Sequence, residues 1–143
     1  MSANSKLTVA VHALAWMGLY QSRGHEVSTS EQIAGSVGTN PVVIRRLLGE
    51  LRRAGLVDAR RGAGSGWMLE RDLTEITVLD VYDALAEGPV FGLHHSEPDP
   101  GCVIGGGIQP VLGSLYARLD EVMRAELGRT TVADVVADIL AAR

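Results

Sequence analysis

The apolar positions of this chain fall into helical periods, broken once by a short alternating stretch. Ile44, Leu47, Leu48 and Leu51 recur at i, i+3, i+4 and i+7, the stripe of a helix with one buried face. Both ends of that helix are marked: Asn40 offers an N-cap oxygen, Pro41 suits the first helical position, and Gly55 fits the left-handed position past the end. Upstream, residues 5–22 form a predominantly apolar helix. Leu7, Val11, Leu14, Ala15 and Gly18 make one stripe, while Val9, Trp16, Met17, Leu19 and Tyr20 cover much of the remaining surface, so this helix is buried on two sides. Between the two, Ser28-Thr29-Ser30-Glu31 reads as a capping box, Ser28 bonding forward and Glu31 back. It opens a short helix that turns Ile33, Ala34 and Val37 inward and stops at Gly38.

Downstream the period changes to that of strands. Leu56–Arg60 can form one strand, Arg61-Gly62-Ala63-Gly64-Ser65-Gly66 a flexible turn, and Trp67-Met68-Leu69-Glu70 the return. Thr77-Val78-Leu79-Asp80 then opens a helix in which Val78, Leu79, Val81, Tyr82 and Leu85 pack, with Ile76 stapling onto Val81 and Glu87-Gly88-Pro89 as its end. Residues 89–107 show no regular period and read as a long loop. A long helix is predicted over 108–128, where Ile108, Leu112, Leu115, Leu119 and Val122 alternate spacings of 4 and 3, a coiled-coil-like seam for dimerisation, widened by Tyr116, Met123 and Leu127. Thr131-Val132-Ala133-Asp134 caps a terminal helix over 131–142 with Val132, Val135, Val136, Ile139 and Leu140 as its stripe. The expected fold is mainly α with a small β-hairpin wing, divided into residues 1–76 and residues 77–143.

Two short helices joined by a tight glycine-bearing turn, the second one basic, make a helix-turn-helix. On the second helix Val42, Arg45, Arg46, Gly49 and Arg53 project away from the apolar stripe, and a side-chain-free Gly49 among guanidinium groups lets that face approach a polyanion. Charge supports this. Residues 1–71 carry nine Lys and Arg against five Asp and Glu, net +4, whereas residues 72–143 carry four against twelve, net −8. A basic half beside an acidic half suggests a nucleic-acid face and a separate self-associating face. Candidate DNA contacts are Ser28, Ser30, Thr39, Asn40, Pro41, Val42, Arg45, Arg46 and Arg53, with Arg60, Arg61 and Ser65 on the wing. Either Arg45 or Arg46 is suited to guanine O6 and N7, Arg52 and Arg53 to phosphate, and the wing arginines to a narrow minor groove. The wing glycines join strand to strand with no Gly-Lys-Ser/Thr after them, which argues against a nucleotide-binding loop.

Composition adds boundaries. With 143 residues, 46% apolar and 21% charged, the chain is sized and composed as one globular domain. No run of eighteen apolar residues and no signal-peptide pattern is present, so neither a membrane span nor export is expected. The single cysteine excludes an intramolecular disulfide, and a cytoplasmic location is expected.

The run Thr39-Asn40-Pro41-Val42-Val43-Ile44-Arg45-Arg46-Leu47-Leu48, then Leu51-Arg52-Arg53-Ala54-Gly55-Leu56-Val57, then the glycine-rich wing resembles the Rrf-two family of winged-helix transcription regulators. The likeness extends over nearly the whole chain and includes Pro98-Asp99-Pro100-Gly101-Cys102-Val103-Ile104-Gly105 and Ile108-Gln109. It implies a homodimer built on the long C-terminal helix, binding a dyad-symmetric double-stranded DNA operator, most simply as a repressor. Members that hold an iron–sulfur cluster carry three closely spaced cysteines in the loop after the fourth helix. Only Cys102 stands here, so no cofactor is expected, and the chain is similar to the cluster-free branch, whose members sense oxidants, electrophiles or small molecules.

That places the candidate sensing residues at Cys102, His94 and His95. No Lys or Arg lies between Glu87 and Arg118, so activation of the thiol would draw on the two histidines or on another subunit. Alternatives stay open: an inert loop thiol, a divalent metal on His94, His95 and Cys102, or a small ligand walled by Trp16, Tyr82 or Phe91. A thiol-dependent enzyme using Cys102 is the competing class, and a pure interaction module a third. The enzyme has no second motif in the sequence, and the module is distinguished by whether salt steeply weakens DNA association.

Overall fold

The computed structural model describes residues 3–85 and 88–143. In chain order it contains α1 (Ala3–Ser22), α2 (Ser30–Val37), α3 (Pro41–Arg53), β1 (Val57–Arg60), β2 (Gly66–Leu69), a 3₁₀ turn (Leu73–Glu75), α4 (Val78–Leu85), α5 (Val103–Arg129) and α6 (Val132–Ala141). Glu87, expected to help end the fourth helix, lies outside the described residues. Among the described residues no helix is long and apolar enough to cross a membrane.

The chain divides into two compact units, Met1–Glu87 with Gly128–Arg143, and Gly88–Leu127. The expected division at 76/77 is not the one seen. Val81 and Leu85 of α4 and Val132 of α6 are buried in the same core as Ala10, Ala13, Leu14 and Met17 of α1, so both helices belong to the first unit. Two hydrogen bonds join the chain on either side of the excursion: Val78 N–H donates to the Thr130 carbonyl at 2.8 Å, and Val132 N–H to that of Ile76 at 2.8 Å. Gly18 of α1 is where Leu73 of the 3₁₀ turn seats itself; a Cβ there would lie 2.2 Å from Leu73 Cδ1.

Within this unit α3 is built as its sequence dictates. Asn40 Oδ1 accepts from Val42 N–H at 2.8 Å, and Ile44, Leu47, Leu48 and Leu51 are all buried. Gly55, at φ +80°, lets Leu56 N–H reach the Leu51 carbonyl (3.0 Å) and its own N–H the Arg52 carbonyl (2.9 Å), closing the helix end. The α2 cap is displaced by one residue from the expected Ser28/Glu31 pair. Thr29 Oγ1 accepts from Gln32 N–H at 3.1 Å and Gln32 Oε1 from Thr29 N–H at 2.9 Å. An amide oxygen closes the box as a carboxylate would, and Ser28 is otherwise engaged. Its N–H and carbonyl both pair with Trp67, at 2.8 and 2.7 Å, adding an edge to the β1–β2 hairpin.

The wing pairs Val57 with Leu69, Asp58 with Met68, Ala59 with Trp67 and Arg60 with Gly66. Gly66 admits the close approach of the Ser28 edge, because a Cβ would fall 2.7 Å from the Ser28 carbonyl oxygen.

In the second unit the segment after Gly88 is no slack loop; it runs back along α5. Phe91 stacks on Tyr116 at 5.5 Å between centroids, Leu93 Cδ1 lies 3.9 Å from where a Cβ of Gly113 would stand, and Gln109 Nε2 donates to the His94 carbonyl at 3.4 Å. As residue numbers rise along the segment, those of its partners on the helix fall, so the two are antiparallel. The helix itself begins at Val103, five residues before the expected start at 108, and the loop 89–107 is shortened accordingly. Three consecutive glycines, each costing about 1 kcal/mol of helix propensity, mask that first turn in the sequence. At Gly105 the reason for glycine is steric: a Cβ would sit 2.3 Å from the Asp99 carbonyl oxygen.

Candidate nucleic-acid interface and thiol site

The outward face of α3 carries Val42, Arg45, Arg46, Arg52 and Arg53, all exposed. Gly49 lies among them with only Arg53 Nη1 within 4 Å of a built Cβ, at 3.9 Å. Among the described residues nothing else crowds that position, so a side chain at 49 would project beside Arg53. Thr39 and Pro41 are half-buried at the head of the helix, and Asn40 is exposed with its oxygen committed to the cap.

The cations differ in what holds them. Arg45 Nη1 lies 3.4 Å from Glu31 Oε1, Arg52 Nε lies 3.1 Å from Asp58 Oδ1, and Arg60 Nη2 pairs with Glu26. Arg46, Arg53 and Arg61 are exposed and have no acidic partner among the described residues. Ser65 is exposed at the wing turn. Ser28 and Ser30, expected as DNA contacts, are instead buried at 3% and 5% exposure. Ser28 is consumed by the wing edge, and Ser30 Oγ accepts from Trp67 Nε1 at 3.2 Å. They form the joint between α2 and the wing. The alternation of small polar residues before a helix gives no hint of this, because the partner, Trp67, is remote in sequence.

Cys102 occupies the cap position of α5. Its N–H donates to the Asp99 carbonyl at 3.2 Å, and its carbonyl accepts from Gly106 N–H at 2.8 Å. Asp99 Oδ1 in turn accepts from Gly101 N–H at 2.9 Å, tightening the turn. The backbone amides of Gly105 and then Ile104 hold the thiol below its ordinary pKa, against a weak opposing effect of burial. From sequence, a cation is the expected activator of this exposed thiol. The activating groups are main-chain donors at the start of a helix, which no side-chain pattern reports. His94 and His95 stack on each other at 4.5 Å, and His94 Nδ1 accepts from Ser96 N–H at 3.1 Å. Among the described residues no three His, Cys, Asp or Glu side chains converge as a metal site would need.

Of the expected dimerisation seam, Ile108, Leu115, Leu119 and Val122 are exposed, and Leu112 is half-buried. Ile104 and Val111 extend the exposed stripe, at 71% and 67% exposure. No residue of α5 is buried.

Helix-turn-helix, basic outward face and hairpin wing together define a winged-helix DNA-binding module. The comparisons with known proteins agree. The profile of the Rrf2 family, described as an Iron-dependent Transcriptional regulator, matches residues 3–138. YwnA of Bacillus subtilis, named as an HTH-type transcriptional regulator, is 35% identical over 133 residues, covering 93% of this chain and 96% of that protein. The HTH-type transcriptional regulator IscR of Cereibacter sphaeroides is 29% identical over 136 residues, covering 95% of this chain and 87% of the other. Among solved structures, the IscR of T. potens superposes with a TM-score of 0.72 at 26% identity, covering 100% of this chain and 90% of that one. The chain belongs to the Rrf2 family: it is a DNA-binding transcription regulator and not an enzyme.

Proposed function

We propose that this regulator acts in the cytoplasm as a homodimeric repressor of a dyad-symmetric operator, and that the thiol of Cys102 modulates its grip on DNA. The observation that carries the dimer is the apolar stripe Ile104, Ile108, Val111, Leu115, Leu119 and Val122 on a 27-residue helix, about 40 Å long, that has no buried residue. A second copy of the same helix is the self-complementary cover for such a stripe. Each protomer then lays α3 in the major groove and the wing arginines along the minor groove, with half-sites about one turn of duplex apart. The groups that act on DNA are those of residues 39–65, while residues 88–127 supply pairing and sensing.

The support for the sensor is the placement of an exposed, pKa-lowered thiol at the turn joining the returning segment to α5. A thiolate there attacks one oxygen of a peroxide, forming the S–O bond of a sulfenic acid as the O–O bond breaks and hydroxide leaves. Alkylation by an electrophile acts at the same atom. We propose that no iron–sulfur cluster resides here: one thiol is too few for the cysteine ligation such clusters take, and His94 Nδ1 is already an acceptor for Ser96.

Selection of bound duplexes from a random pool, with reduced and with peroxide-treated protein, tests the reading. We expect inverted-repeat sites with reduced wild type, loss or weakening on oxidation, and an unresponsive Cys102→Ser that still binds. A normal oxidant response in Cys102→Ser overturns the thiol assignment; a monomer by light scattering overturns the dimer.

A further inference from the structure

Two adjacent arginines on α3, Arg45 and Arg46, share their chemistry and are both exposed, but their surroundings differ. Arg45 is tied to Glu31 on the first turn of α2, Nη1 to Oε1 at 3.4 Å, whereas Arg46 has no acidic partner among the described residues. Among the described residues the Glu31 carboxylate has no other partner. The α2 capping box is closed by Thr29 and Gln32, which leaves the Glu31 carboxylate, 68% exposed, to reach across to α3.

An acid beside the DNA face is unfavourable for binding by charge alone, since it repels phosphate. Its position suggests a compensating task. A guanidinium presents five N–H groups in a planar fork. With one Nη1 hydrogen directed at Glu31, the edge formed by Nε and Nη2 stays free, and two parallel donors along an edge are what guanine O6 and N7 accept. Holding one end of the plane also removes rotamers that the side chain would otherwise sample on arrival at a base.

We propose that Glu31 is a positioning residue that sets base specificity through Arg45, while the unheld Arg46 serves as a mobile charge for phosphate. The inference rests on the reading of α3 as the helix in the major groove. It assigns the base-reading role to one of two arginines that the sequence leaves equivalent.

The test is selection of duplexes from a random pool with wild type, Glu31→Ala, Arg45→Ala and the double variant. Titration of the best wild-type duplex and a scrambled one follows, and thermal unfolding checks that each variant is folded. Arg45→Ala is expected to flatten the preference at one base-pair position of each half-site. Glu31→Ala is expected to flatten that same position and to lower the ratio of selected to scrambled affinity by about three- to fivefold, the upper part of what an exposed pair supplies. Affinity for the scrambled duplex should rise or stay level. In the Arg45→Ala background, Glu31→Ala should change nothing further at that position. Unaltered base preferences in Glu31→Ala, or an equal effect with Arg45 already gone, would overturn the proposal while leaving the placement of α3 intact. An Arg45→Ala protein with every preference of wild type would remove the major-groove role of Arg45 itself.

Discussion

Trp67→Phe isolates the joint between the wing and the helix-turn-helix. The indole Nε1–H donates to Ser30 Oγ at 3.2 Å, and Ser30 is only 5% exposed, so water does not readily replace the lost donor. Phenylalanine keeps a ring against the core but leaves that hydroxyl without the partner. A net hydrogen bond contributes about 0.5–1.5 kcal/mol, and a buried group left unpaired costs about 1–3 kcal/mol. The variant should therefore lose about 1–3 kcal/mol, or roughly 3–10 °C of melting temperature for a chain of this size. Ser30→Ala leaves the indole N–H orphaned instead and should cost a similar amount. The double variant removes both polar partners, so its loss should fall short of the sum by about 0.5–1.5 kcal/mol. Urea unfolding of the four proteins at one fixed concentration measures this coupling. A coupling of zero, or a Trp67→Phe chain as stable as wild type, would refute the hydrogen-bonded joint.

Other perturbations act on single groups. Gly105→Ala should destabilise the start of α5 despite alanine's better helix propensity, because its Cβ meets the Asp99 carbonyl oxygen at 2.3 Å; Gly107→Ala, with nothing within 4 Å, should gain up to about 1 kcal/mol, both read by thermal melts. Leu48→Ala, fully buried in the core, should cost about 2–5 kcal/mol in urea unfolding. Alkylation of Cys102 by iodoacetamide should show a midpoint at lower pH in the folded than in the urea-unfolded chain, and equal midpoints would contradict the amide contacts of Gly105 and Ile104. The sign for stability follows: because the folded-state value is depressed, this thiol's contribution is fully present above its unfolded pKa and fades as pH falls through the lowered one. Arg61→Ala should weaken DNA binding for all sequences and make the plot of log affinity against log salt shallower by about 0.9 for each phosphate that the side chain neutralises.

Helix α3 can be read from its residues because every local signal agrees: cap, proline, apolar stripe and terminal glycine. The wing follows for the same reason, its glycines adopting the positive φ angles that a turn of this kind uses. The cap of α2 stands one residue beyond the place its sequence suggests, because Ser28, Thr29 and Ser30 all carry suitable oxygens. Only the remote partner Trp67 decides which of them is free. The beginning of α5 is hidden by Gly105-Gly106-Gly107, where propensity and tertiary geometry conflict and geometry prevails. A second difference follows from that one. With the helix expected to start at 108, the thiol at 102 lies far from any first turn, and its lowered pKa has no visible source except side chains. The acids opposite Arg45 and Arg60 are equally out of reach of sequence, since Glu31 and Glu26 lie 14 and 34 residues from their partners.

The return of α6 to the core of α1 has a bearing on biosynthesis. Val132 is fully buried in a cluster otherwise supplied by residues 10–85, so a nascent chain lacks a piece of that interior until α6 has left the ribosome. The interior behind the DNA-binding helices thus stays incomplete for some fifty residues of synthesis after Leu85, the last of its other buried members.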